Sequence, residues 1–212
     1  NIVDEGRRVI NNISRASSMY LVKTVFSMLL SIYVILRVRE YPFLPVHLSV
    51  ISAFGVGLPT FFLQLEPSFE RVGGRFFANA LRNSVPSAVA VFLTSILCML
   101  IRDGFYLPDE RFYGIFVSVT CFIYIYTLYR VYYPPTKLRW GVFAAMSGCM
   151  LVFFVFAEQL VNVSYTWIDL VVIIPMMIFE PFLISLLARI YDGIANFFGR
   201  IHEFFTERFH HE

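Results

Sequence analysis

Ala16–Leu36 reads ASSMYLVKTVFSMLLSIYVIL, a run of apolar side chains holding one charge, Lys23, and a scatter of hydroxyls. A helix that crosses the hydrocarbon of a bilayer needs roughly 20 mostly apolar residues, so this run is long enough to span. Comparable runs follow at 48–65, 84–101, 112–133, 140–156 and 168–191. The whole chain of 212 residues is 58% hydrophobic, 18% aromatic and 15% charged, with a mean hydropathy of +0.69. A soluble domain averages about 25% charged residues, and here too few charges remain to cover a water-facing shell. A soluble globular enzyme and a disordered chain are both excluded. The expected fold is an all-α, polytopic transmembrane bundle of six spans, with an N-terminal stalk at 1–15 and a C-terminal amphipathic interfacial helix at 192–212.

The flanks of the spans give the organisation. Val9, Ile10, Ile13 and Ala16 recur at helical spacing, so the first span is expected to continue upward from the stalk. Residue 1 is Asn, and 1–15 is a polar helical pattern rather than a signal peptide, so the chain is expected to be a piece of a longer protein. Pro42 and Pro45 mark a short loop, and Gly55-Val-Gly-Leu-Pro59 interrupts the second span. With both ends placed in the cytoplasm, about twelve basic residues, including Arg71, Arg75, Arg82 and Arg139, fall inside. Four fall outside: Arg37, Arg39, Arg102 and Arg111. That bias sets the orientation. Tyr132, Tyr133, Trp140, Trp167 and Tyr191 fall at the expected interfaces, where aromatic rings sit. In the tail, Ile194, Phe197, Phe198, Ile201, Phe204, Phe205 and Phe209 form one stripe opposite Asn196, Arg200, Glu203 and Glu207. This is the pattern of a helix lying along a membrane surface, or else of one packed against a soluble domain.

Motifs for covalent chemistry are missing. No phosphate-binding glycine loop, metal-spaced His/Cys cluster or nucleophile elbow occurs. The net charge of +2 is too mild to imply nucleic acid. Cys98, Cys121 and Cys149 lie in apolar runs and are expected to pack. His47, His202, His210 and His211 are expected to be solvated, as are Glu158 and Asp169 beside an outer loop. Asn162-Val-Ser164 matches a glycosylation sequon, a pattern short enough to recur by chance.

The informative groups are polar ones inside the spans. Lys23 is an ionisable residue in hydrocarbon, where charge is costly and therefore functional by default. Its alternative is snorkelling, since about 10 Å of depth is within reach of a lysine stem. Thr24, Ser27 and Ser31 follow it. In the second span, Ser49 and Ser52 precede Gly55, Gly57 and Pro59. Pro59 has no N–H for the helix ladder, and carbonyls freed in this way, here around Phe54 and Gly55, can coordinate a cation. An ordinary proline kink is the alternative. Glu180, before Pro181 in the sixth span, is a minor candidate: protonated, paired with Lys23 or an arginine, or close to the inner interface.

Two stretches carry a resemblance. Val3-Asp-Glu-Gly-Arg-Arg-Val-Ile-Asn-Asn12, followed at once by a span, resembles the stalk and fifth membrane helix of P-type cation-transporting ATPases. Gly57-Leu-Pro59, one short loop later, is similar to the unwound part of their sixth helix, and Tyr41-Pro-Phe-Leu-Pro-Val-His47 to a bacterial branch related to calcium pumps. The resemblance implies the C-terminal half of the transport domain, helices five to ten, in a bacterial plasma membrane. It further implies that the phosphorylated aspartate, the nucleotide pocket with its ATP and Mg2+, and the first four helices belong to the rest of the parent. The bilayer and those missing parts are the implied partners, and the loop around Arg71–Asn83 would face the phosphorylation domain. This fragment itself holds no catalytic residue.

The departures from the family are specific. Calcium pumps place Asn and Glu where Thr24 and Ser27 align, and Asp where this chain has Val56. They also carry a Glu in the helix matching 112–133, which is free of acids here. Calcium takes several oxygen ligands, usually carboxylates, so the standard two-calcium site does not carry over. Calcium is favoured by family proximity alone. The candidate cation-binding or coupling set is Lys23, Thr24, Ser27, Ser49, Ser52, Phe54, Gly55, Gly57 and Pro59. An independent six-span channel or carrier, and a membrane scaffold whose polar groups hold helices together, are the alternatives.

Overall fold

The computed structural model describes residues 2–37, 41–64, 76–134, 136–156 and 162–209, apart from the side chains of 2–5, 8, 76, 153–155 and 198–209. The described residues form helices and no strand. In chain order these are α1 (Ile2–Arg37), α2 (Pro45–Val50), a π-helical segment (Ile51–Gly57), α3 (Leu58–Gln64), α4 (Phe76–Phe105), α5 (Asp109–Val131) and α6 (Lys137–Phe156), then a 3-10 turn (Trp167–Asp169) and α7 (Leu170–Phe209). Five stretches are long and apolar enough to cross a membrane: Val9–Arg37, Pro45–Gln64, Phe77–Phe105, Asp109–Val131 and Trp167–Phe197. This is an all-α membrane bundle. The expected fifth span corresponds to α6, a helix of 20 residues.

The helices run past the expected boundaries. α1 has 36 residues, about 54 Å at 1.5 Å per residue, so stalk and first span are one rod. α7 has 40 residues, and the helix passes from the span into the tail without a break at Tyr191. The side chains of the tail stripe from Phe198 onward lie outside the described residues, as do Glu158, Arg71 and Arg75. Pro86, Pro175 and Pro181 sit inside α4 and α7. A membrane helix tolerates them because neighbouring hydroxyls and helices meet the freed carbonyls. Separately, Ser185 Oγ donates back to the Pro181 carbonyl one turn earlier, at 2.7 Å.

Packing follows helical periodicity. Met19, Val22, Phe26 and Leu30 form the buried stripe of α1, which lies along α4. α5 is the most enclosed helix and touches α1, α4, α6, α7 and the π segment. Phe43, from the loop after α1, wedges between Phe26 (ring centroids 5.8 Å) and Phe116 (4.2 Å) and ties α1 to α5. On α7, Ile173, Met176, Glu180 and Ile184 face inward, while Val171, Ile174, Ile178 and Phe182 are exposed. These outward apolar stripes are the surface that hydrocarbon would cover. Trp140, Trp167 and Tyr133 stand exposed at helix ends, but Tyr132 is fully buried.

Three further sequence expectations are corrected at these ends. His47 is fully buried: its Nδ1 accepts the Leu44 N–H at 3.3 Å and its ring lies 4.7 Å from that of Tyr113. Proline-initiated α2 folds its first turn back over the imidazole, so the loop position gives no access to water. Asp169 is also buried; its Oδ2 accepts the Thr166 N–H at 2.7 Å, and Arg111 pairs with its Oδ1 at 2.5 Å. A capping role and a cation from α5 make burial tolerable there. Cys98 and Cys121 pack inside, whereas Cys149 is exposed on α6.

At Gly114 on α5, an added Cβ would lie 2.7 Å from the Ser164 carbonyl oxygen and 3.1 Å from the Tyr165 ring. A backbone atom cannot step aside as a side chain does. Gly114→Ala is therefore expected to destabilise the protein by about 1–3 kcal/mol, read as a lower midpoint of thermal unfolding in detergent. Gly148→Ala, whose Cβ meets nothing within 4 Å, should leave the midpoint unchanged or raise it.

Candidate functional site

The second span is where the sequence breaks its own helix. The break takes the form of a wider winding rather than a loop: Ile51–Gly57 is π-helical between α2 and α3. The Leu58 N–H reaches five residues back to the Ala53 carbonyl. Pro59 offers no N–H to the carbonyls of Phe54 or Gly55 one turn earlier. Further on, Thr60 Oγ1 donates to the Val56 carbonyl at 2.6 Å and approaches that of Gly57 at 3.0 Å. Both glycines serve the close approach. A Cβ at Gly57 would lie 3.3 Å from the Ser52 carbonyl oxygen, and one at Gly55 would lie 3.0 Å from Cβ of Tyr124 on α5. The backbone of the widened turn is thus pressed directly onto α5.

Lys23 reaches this turn. Its Nζ donates to Ser52 Oγ at 2.6 Å, and Ser52 Oγ in turn donates to the Leu48 carbonyl at 2.5 Å. The ammonium is half-buried and directed across to the second span, so it is held by a hydroxyl inside the bundle rather than extended along α1. The other candidates spread out around this pair. Ser27 shares a side-chain hydrogen bond with Tyr41, whose phenol burial pushes above its ordinary pKa against the opposing effect of that bond. Thr24 and Ser49 are exposed, and each hydroxyl returns to its own helix, to the Tyr20 carbonyl at 3.2 Å and the Pro45 carbonyl at 3.0 Å. Gly55 and Pro59 are buried; Phe54 and Gly57 are half-buried.

Glu180 belongs elsewhere. It is 2% exposed, on the inward stripe of α7, about 15 Å along the helix from Leu170. Thr94 Oγ1 of α4 donates to its Oε1. Thr94 is one of several interior hydroxyls that sequence reading passed over. Ser87 and Ser95 on α4, and Thr120, Tyr124 and Thr127 on α5, are all buried. Thr127 Oγ1 donates to Ser87 Oγ at 2.8 Å, joining the two helices. The signal was present in the spacing: Ser87 and Thr94 are seven apart, and Thr120, Tyr124 and Thr127 follow the i, i+4, i+7 pattern of one face.

At the basic end of the bundle a second set of contacts joins α1 to its neighbours. Asn12 Nδ2 donates to the Gln64 carbonyl at 2.8 Å. The guanidinium of Arg15 lies 5.5 Å from the centre of the Tyr132 ring and that of Arg139 lies 6.0 Å from it. Arg139 also donates to the carbonyls of Tyr132 and Pro134, each at 2.6 Å. Through these residues the stalk end of α1 is fixed to α3, α5 and α6.

The chain is similar to cation-transporting ATPases. A calcium-transporting ATPase CtpE of Mycolicibacterium smegmatis is 34% identical over 110 residues, covering 47% of this chain and 14% of that protein. The calcium-transporting ATPase CtpE of Mycobacterium bovis is 33% identical over 109 residues, with the same coverage. A probable cation-transporting ATPase exp7 of Streptococcus pneumoniae is 33% identical over 98 residues, covering 42% of this chain and 13% of that protein. The chain thus spans a small part of the length of the curated relatives it matches. No protein-family model matches it. Among the described residues no three His, Cys, Asp or Glu side chains group as a metal site.

Two substitutions separate backbone approach from side-chain chemistry at the widened turn. Gly55→Ala should lower stability by about 1–3 kcal/mol, because Tyr124 Cβ is part of the α5 rod and cannot retreat. Tyr124→Phe removes a buried hydroxyl that has no hydrogen-bond partner among the described residues and should be neutral or mildly stabilising. Thermal unfolding of both proteins in detergent checks the pair.

Proposed function

We propose that this chain is the membrane-embedded part of an ATP-driven cation pump of the P-type, corresponding to helices five to ten of the transport domain. In this reading both ends are cytoplasmic and the membrane is the plasma membrane. The observation that carries the reading is the Lys23–Ser52 bond at the π-helical turn, taken with the similarity to cation-transporting ATPases. A cation site needs oxygens that hydrocarbon would not otherwise supply, and the interrupted helix provides backbone carbonyls and Ser52 at that place. The remaining oxygens come from helices of the parent protein, which also contributes the ATP and Mg2+ chemistry. Calcium is the cargo favoured by the names of the relatives.

Lys23 then acts as a built-in positive charge. When the cation is absent, its ammonium donates to Ser52 and keeps the turn compensated. When the cation binds, like charges repel and the ammonium swings away, so the protein needs no counter-transported ion to neutralise the empty site. α1 is the coupling rod, because one helix runs from the basic end, where Asn12 and Arg15 are anchored, to the turn itself. The exposed Thr24 and Ser49 lie on a surface that the parent's other helices would cover.

The test is phosphoenzyme formation from ATP by the intact parent protein, titrated separately with calcium, magnesium, manganese, potassium and protons. Saturable stimulation by one cation supports the pump, and no phosphoenzyme under any condition in folded protein overturns it. Ser52→Ala should raise the half-saturating concentration of that cation about tenfold, equivalent to ~1.4 kcal/mol. Lys23→Ala should alter the pH dependence of transport. Lys23→Met, which keeps the stem, should match the alanine variant; a wild-type profile in the methionine variant would reduce Lys23 to packing.

A further inference from the structure

Glu180 lies in the seam between α4 and α7, on helices other than the two that bring Lys23 and Ser52 together. Its described hydrogen-bond donor is Thr94, on Oε1; among the described residues the buried Oε2 has no partner. The ion pairs of Arg82 with Asp192, Arg102 with Asp109 and Arg111 with Asp169 leave Glu180 out. Cys98 of α4, itself buried, is the described electrostatic neighbour of Glu180, and α5, also packed against α7, has Cys121 and Tyr124 among its buried residues. None of them supplies a positive charge.

An ionised carboxylate in this position would keep one oxygen bare inside the buried seam, with a single neutral donor on the other. Removing such a charge from water without a counter-charge is far more costly than burying one neutral polar atom unpaired. A metal cation does not solve the problem. Calcium and magnesium take six or more oxygens, and the seam offers one carboxylate and one hydroxyl. The ligand that matches one carboxylate, one hydroxyl and no cation is a proton.

We propose that the α4–α7 seam is a proton-binding site, in which Glu180 carries a proton on its carboxyl at neutral pH and Thr94 orients it. The carboxylate takes one proton from water and becomes a neutral carboxyl, so that no charge remains in the seam. The site rests on the membrane reading and is independent of the pump reading, so a failed phosphoenzyme assay leaves it standing.

Infrared difference spectroscopy of the intact protein in phosphatidylcholine vesicles tests it. Wild type minus Glu180→Gln at neutral pH should show the carbonyl band of a protonated carboxyl and no carboxylate bands. Thr94→Val should move that band to higher frequency while keeping the proton, because the hydrogen bond is lost. Carboxylate stretches in the Glu180→Gln difference spectrum at neutral pH would overturn the proposal. If Glu180→Gln fails to fold, the wild type minus Thr94→Val spectrum decides: a change in the protonated-carboxyl region supports the site, and one confined to the carboxylate region overturns it.

Discussion

Hydrocarbon offers no water to a backbone group that loses its partner, and that constraint governs the second span. Pro59 withdraws one donor from the helix ladder, and the chain answers by winding Ile51–Gly57 wider, so that hydrogen bonds close over five residues instead of four. π-helical turns inside α-helices concentrate at functional sites because they leave carbonyls and side chains less fully engaged. The consequences spread outward from this turn. Gly55 must lack a side chain to seat against Tyr124, Thr60 turns its hydroxyl back to the Val56 carbonyl, and Ser52 receives the ammonium of Lys23.

The remainder of the bundle holds that turn in place. α5 sits centrally and provides the wall against which the turn is pressed, while Phe43 locks the loop between α1 and α5. The outward stripes are apolar and the interior contains hydroxyls, an arrangement possible because association of helices in lipid gains little from hiding apolar surface. Interior polarity therefore has room for chemistry at two places, one on each side of α4 and α5. One is a lysine against a widened turn. The other is an acid against a threonine.

Much of this was legible before any coordinates. Composition and run length give the membrane bundle, since about 20 apolar residues suffice to define each span. Pro59 with its glycines marks the break, because proline's missing donor is a local property of one residue. Lys23 is legible as an anomaly, but its partner is not: that Ser52 meets it, while Ser49 and Thr24 bond to their own helices, depends on helix rotation and crossing. The misread positions share one cause. His47 and Asp169 lie at the starts of helices, where sequence suggests water, yet each is enclosed by a proline-started turn or a capping interaction. The hydroxyls of α4 and α5 went unread because serine and threonine in a span are individually unremarkable, and only their common face reveals a seam.

In the proposed pump, the ammonium of Lys23 and the transported cation compete for one place at the π-helical turn. The most direct measurement is the separation between Lys23 Nζ and Ser52 Oγ in a structure of the intact protein with its cation bound. The expected result is that the bond at 2.6 Å is broken, with the cation resting on Ser52 Oγ and backbone carbonyls of the widened turn. An intact Lys23–Ser52 bond, with the cation seated away from residues 51–57, would contradict it.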